Sequence, residues 1–250
     1  MASYRYERDI DPKDIAPRKE RQYTRKERWA NWWDYNLKWV LAIGAVAAFV
    51  AYTFIGQYFF TTHADYNIAV VSPHYIPEAT QTALQDALTA YGEDCNGDGK
   101  VVVKVNVYTI NFQGDDTDAY MEMAGTTKLS TDIQSALSSI FLLYDPAGFQ
   151  ELTGTLRYLD GSQPQSDADN DWWNMVYRWT DCPVLTSLDL GDYAPDAVQT
   201  ASGSSQDVLA DYYIGLRGAW NTTSAELTES GAALWEKLTA GAVSTVTEEG

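Results

Sequence analysis

Apolar runs divide this chain before any single residue does. Residues 39–60, WVLAIGAVAAFVAYTFIGQYFF, hold 22 positions without a charge, and as an α-helix they extend roughly 33 Å, enough for a hydrocarbon core of about 30 Å. The run predicts one transmembrane helix. Further on, NIAVVSP is a short apolar run closed by proline, the pattern of a buried strand. IPEATQTALQDALTAYG then sets Ala79, Ala83, Leu84, Ala87, Leu88 and Tyr91 at helical spacing between Pro77 and Gly92. VVVKVNVYTINF is rich in β-branched residues, DAYMEMAGTTKLSTDIQSA is helical, and SSIFLLYDP is again a strand. The succession β-α-β-α-β predicts an α/β fold, a mostly parallel sheet flanked by helices, preceded by one transmembrane helix.

After Pro146 the pattern loosens. TLRYL, CPVLTSLDL and DYYIGLRGAW read as strands, with the polar loop DGSQPQSDADN and the aromatic segment DWWNMVYRW between the first two. SAELTESGAALWEKLTAG predicts a closing helix starting near Ser224, and AVSTVTEEG a frayed tail. Within the aromatic segment, Trp172, Val176 and Trp179 share one helical face and Trp173 and Tyr177 another, which predicts burial in a core ahead of stacking on a sugar or a partner. The resulting organisation is an arm at 1–38, a signal-anchor span at 39–60, an α/β domain at 65–241 and a flexible tail at 242–250.

Charge adds an orientation. Residues 1–39 carry ten of the 17 Lys and Arg against seven of the 35 Asp and Glu, so the remainder holds seven basic residues against 28 acidic ones. After Lys38 no Lys or Arg occurs until Lys100, so the positive-inside rule places the N-terminus in the cytoplasm and the acidic domain outside the cell membrane. A cleaved signal peptide fits poorly: the basic arm and the apolar run are both too long, and TTHADY offers no A-x-A site. No Cys near the span allows a lipoprotein anchor. The arm, RKERQYTRKERWANWWDYNLKW, suits the lipid bilayer interface, with Trp29, Trp32, Trp33 and Trp39 at one end of the span. No nucleic acid partner is expected, because basic residues abutting a span are sufficiently explained as topology determinants.

The series IAVVSP, a helix, NGDGKVVVKVNVYTI, a Met-bearing helix around MEMAGTTKL, SIFLLYDP and FQELTG resembles the first lobe of extracellular solute-binding proteins of the type 2 periplasmic-binding fold. It is similar in particular to the membrane-anchored forms of Gram-positive bacteria. The resemblance covers about residues 67–154, with the C-terminal strand and helix, and the domain has the length of one lobe. It implies non-catalytic binding of a small molecule, or of an envelope protein or polymer, accessory to transport or sensing. Two other classes compete: an envelope interaction domain that has lost its solute cleft, and a cell-surface carbohydrate-active hydrolase.

Candidate chemistry follows from position. Open α/β sheets bind ligands at the carboxyl ends of their strands, where this sequence sets Ser72 and His74, then Asn111, then Tyr144 and Asp145. No enzyme is expected, since the only histidines are His63 and His74 and no G-x-S-x-G, H-E-x-x-H or phosphate-loop pattern occurs. DCNGDGKVVVK places Asp94, Asn96 and Asp98 at the first, third and fifth positions of an EF-hand-type loop with Gly99 at the sixth, but Val105 where the bidentate Glu belongs. Two readings stand: a structural Ca2+ site completed by Asp115, Asp116 or Asp118, or a bare turn between helix and strand. Cys95 and Cys182 each precede a proposed strand, making one disulfide or two separately buried thiols.

Overall fold

The computed structural model describes residues 22–59, 64–112, 114, 119–165, 170–196, 198, 200–220 and 222–248. The chain divides into two compact units, residues 1–61 and 62–250. Helix α1, Arg25–Phe59, makes up most of the described part of the first. Thr24 and Glu27 start it as a capping box: the Glu27 amide donates to Thr24 Oγ1 at 3.3 Å, while the Thr24 amide donates to Glu27 Oε2 at 2.9 Å. Residues 25–38 of the arm therefore continue directly into the expected span. Leu41, Phe49 and Phe54 are 63, 68 and 70% exposed. A helix apolar on all sides has no water-facing stripe, and the stretch Arg25–Phe54 is long and apolar enough to cross a membrane.

The second unit runs β1 (Tyr66–Ser72), α2 (Glu78–Thr89), β2 (Val103–Thr109), α3 (Ala119–Ser135), β3 (Ile140–Leu143), α4 (Pro146–Thr153), β4 (Val176–Arg178), α5 (Pro183–Thr186), β5 (Asp192–Tyr193), β6 (Gly203–Ser204), α6 (Ser205–Leu209), β7 (Tyr213–Leu216) and α7 (Thr222–Leu238). Five strands form one sheet in the order β2-β1-β3-β7-β4. Alternate residues of the central strands enter different clusters. Ile68, Val70, Ile140 and Leu142 meet Leu84 and Leu88 of α2 and Leu234 and Leu238 of α7, while Ala69, Val71, Phe141 and Leu143 meet Leu129 of α3 and Phe149 of α4. Both faces are covered, which explains why β1 and β3 read as continuous apolar runs.

The sheet is mixed. β1 pairs in parallel with β2 and β3, but β7 is antiparallel to both β3 and β4, so the expectation of a mostly parallel sheet is corrected. The reason lies just before β7, where the Tyr212 hydroxyl donates to Ser72 Oγ at 2.6 Å. That contact fixes the chain at the carboxyl end of β1, and β7 can only run back.

The irregular stretch departs further from its pattern. TLRYL makes a single bridge, Leu156 to Arg217, and CPVLTSLDL forms the short α5 and an irregular segment rather than a strand. DWWNMVYRW is two 3-10 turns around β4, not a helix. Trp172 and Trp179 are nevertheless buried, as expected. Residues 242–248 are docked rather than frayed: Ala242 and Val246 pack on the two clusters, and the Thr245 amide and hydroxyl donate to the Asp181 carboxylate at 2.8 and 2.9 Å.

Candidate functional site

Three strand exits lie side by side at the carboxyl edge. The Ile110 amide donates to the Ser72 carbonyl at 2.9 Å and the Tyr144 amide to the Val71 carbonyl at 3.0 Å, which extends the ladder one step past the strands. His74, Asn111, Phe112, Tyr144 and Asp145 consequently line a single cleft of about 250 Å³. Val71 and Ile110 add apolar wall. Four of the five positions expected from sequence thus come together, and the cleft adds Phe112.

Each lining group is positioned by a local device. Asp145 caps α4, its Oδ1 accepting the Gly148 amide at 2.9 Å with Pro146 in the first turn, the arrangement that satisfies a free helix-start donor. A Cβ at Gly148 would lie 2.7 Å from Phe112 Cγ, so glycine is what lets Phe112 close on the helix start. The His74 ring stands edge-on to Tyr144 with centroids 4.8 Å apart, and Tyr144 packs in turn on Tyr212 at 5.7 Å.

Ser72 is different. It is fully buried, and its Oγ accepts the His74 amide at 3.0 Å as well as the Tyr212 hydroxyl. It stands behind the cleft as a positioning residue. Burial pushes the Tyr212 phenol up to about 12, which keeps it a neutral donor. Sequence spacing gave no sign of Tyr212, 140 residues from its partner. Phe112 was within reach of the same argument that found Asn111, being the next residue after the same strand.

Among the described residues the cleft presents one imidazole, one amide, one carboxylate and two further aromatic rings, and no Lys or Arg. Asp145 is the carboxylate among the described lining residues.

The acidic loop lies away from this cleft, before β2. Asp94 Oδ1 and Oδ2 accept the Gly97 and Gly99 amides at 2.6 and 2.8 Å, and Asn96 and Asp98 accept the amides of Asp98 and Lys100, both at 2.9 Å. Asp65 fastens the loop from outside, taking the Cys95, Asn96 and Val102 amides at 2.9, 3.1 and 2.8 Å. These bonds form nested turns. Among the described residues no group of three His, Cys, Asp or Glu side chains gathers for a metal; Asp115, Asp116 and Asp118, and also His63, lie outside them.

The cysteines do not pair. Cys182 is buried in the core at the start of α5 and its thiol is pushed up to about 12 by burial, whereas exposed Cys95 donates to the Tyr66 hydroxyl at 3.1 Å. Cys182 follows β4 instead of preceding a strand, which puts it at the opposite edge of the sheet from Cys95.

No family model, curated protein or solved structure matches the chain.

Proposed function

We propose that this chain is a membrane-tethered binding protein whose α/β domain takes a small polar or partly aromatic solute at the carboxyl edge of its sheet. The observation that carries the reading is the convergence of His74, Asn111, Tyr144 and Asp145, from three separate strand exits, on one cleft of about 250 Å³. Concave sites with apolar walls and a few convergent polar groups are where ligands bind. The resemblance to one lobe of solute-binding proteins supports the same edge. The apolar helix serves as a signal-anchor, with the arm in the cytoplasm and the domain outside, and the bilayer is its standing partner. The Asp145 carboxylate, with no basic group among the described lining residues, favours neutral or cationic solutes over phosphates and carboxylates.

The test is a screen of amino acids, amines and small sugars against the full chain in lipid nanodiscs, read by ligand-detected NMR. A ligand of this cleft loses at least about tenfold in affinity when Asn111 and Asp145 are both replaced by Ala, while circular dichroism stays that of the parent. Unchanged affinity in the double variant sinks the assignment.

A further inference from the structure

A second cavity, of about 530 Å³, lies at the amino-terminal side of β4. It shares no lining residue with the first cleft. Tyr158 and Trp173 line it. The Tyr158 hydroxyl donates to Asp171 at 2.5 Å, and Trp173 stands edge-on to buried Trp172, centroids 6.2 Å apart. Both rings are held by neighbours yet remain half-exposed. Trp173 packs in part against the core and in part lines the cavity, whereas Trp172 and Trp179 are buried.

Polar groups stand beside these rings. Asp160 and Ser162 come from a turn whose Gly161 has φ 87°, and Asp160 Oδ1 accepts the Ser162 amide at 2.8 Å and its hydroxyl at 2.6 Å. Asn174 adds an amide. The remaining wall is Ser244 and Val246 of the docked C-terminal segment, which the Thr245 bonds to Asp181 hold in place.

This combination selects a ligand class. Among the described residues no Lys or Arg lines the cavity, so a phosphate or carboxylate ligand would lack its counter-ion and face Asp160. Carboxylate, hydroxyl and amide beside the rings disfavour a purely apolar ligand, because their hydration would be lost without replacement. A pyranose supplies both requirements at once: an apolar C–H face for an aromatic ring, and hydroxyls for Asp160 and Asn174. We propose that this cavity is a carbohydrate-binding site that takes neutral sugar units of a polysaccharide. It is independent of the first cleft, and it would hold the domain against a glycan surface.

Saturation-transfer NMR on the full chain in nanodiscs, prepared free of glycoside detergent, tests this with maltohexaose, cellohexaose and chitohexaose as probes. The expected result is transfer to the ring protons of at least one probe. Trp173→Ala weakens its binding about tenfold. Asp160→Ala, on an exposed turn and so without risk to the core, weakens it as well, while Asp189→Ala, an exposed carboxylate elsewhere, leaves it unchanged. No transfer to any of the three probes overturns the proposal, and so does transfer that survives both Trp173→Ala and Asp160→Ala.

Discussion

Asp132 shows how much one residue can organise here. It is buried on α3 and accepts the Tyr108 hydroxyl at 2.6 Å and the Ser138 amide and hydroxyl at 2.9 and 2.6 Å. Arg217, also buried, has its pKa lowered by that burial, an effect that nearby Asp132 partly offsets, and it donates to the Ser138 and Ile133 carbonyls. Truncating the carboxylate leaves three buried donors without their acceptor, so Asp132→Ala should cost about 3 kcal/mol in chemical denaturation. Tyr108→Phe removes one hydrogen bond and should cost about 1 kcal/mol. Similar losses for the two variants would show that Asp132 does not centre the network. Asp94 sits at the other extreme, fully exposed, with its carboxyl held below the usual range by the Gly99 amide first among the loop's backbone donors. A depressed carboxyl stabilises the fold above its unfolded pKa of about 3.9 and loses that effect as pH falls through the lower folded value. The melting temperature of the parent should exceed that of Asp94→Ala near neutrality, and the gap should close as pH drops below about 4. Calcium at millimolar concentration provides the second arm: a bound ion raises the parent's melting temperature by mass action and Asp98→Ala abolishes the rise. A flat response leaves Asp94 a turn residue only.

Gly125 decides how closely α3 can approach the sheet. A Cβ there would collide with the Thr109 carbonyl oxygen of β2 and come within 3.1 Å of Ile110 Cγ1. By helix propensity alone, Gly to Ala in a helix interior gains roughly 1 kcal/mol. Against that stands the push of α3 off β2, an overpacking cost of about 1 to 3 kcal/mol. The obstacle is backbone that cannot swing aside, so Gly125→Ala should be net destabilising, and a stabilised variant would mean that α3 packs less closely than described. The same element explains what pattern could and could not reveal. Strands β1, β2 and β3 were legible because each is a β-branched or apolar run ended by a clear turn, and α2 because Leu84 and Leu88 recur at helical spacing. From Thr155 to Tyr212 no element exceeds five residues, too short for either period to register. Trp172 and Trp179 are buried in turns, where spacing has no predictive hold. The direction of β7 depends on Tyr212 meeting Ser72, a contact between distant parts of the chain that no local pattern encodes. The cleft was legible for the converse reason, since strand ends in a parallel sheet share an edge whatever follows them.

Across the whole chain, the strongest asymmetry is charge on either side of an apolar helix. Ten basic residues lie at or before Lys38 and none occurs between it and Lys100, so translocating the domain and retaining the arm is the arrangement that keeps the cationic flank on the cytoplasmic side. The gap also supplies its own assay, because trypsin has no site from residue 39 to residue 99. Lys100 is exposed in the loop before β2, where external trypsin can reach it. On wall-stripped cells, trypsin should therefore trim the chain from its C-terminal side to a membrane-bound fragment ending at Lys100, with the arm intact. The reverse orientation predicts the opposite product: cuts among Arg18, Lys19, Arg21, Arg25, Lys26 and Arg28, and an intact domain. An antibody tag at each end distinguishes them, since the proposed topology keeps the N-terminal tag on the membrane fragment and releases the C-terminal one. Loss of the N-terminal tag with retention of the C-terminal tag would reverse the topology, and with it the placement of both proposed binding sites outside the cell.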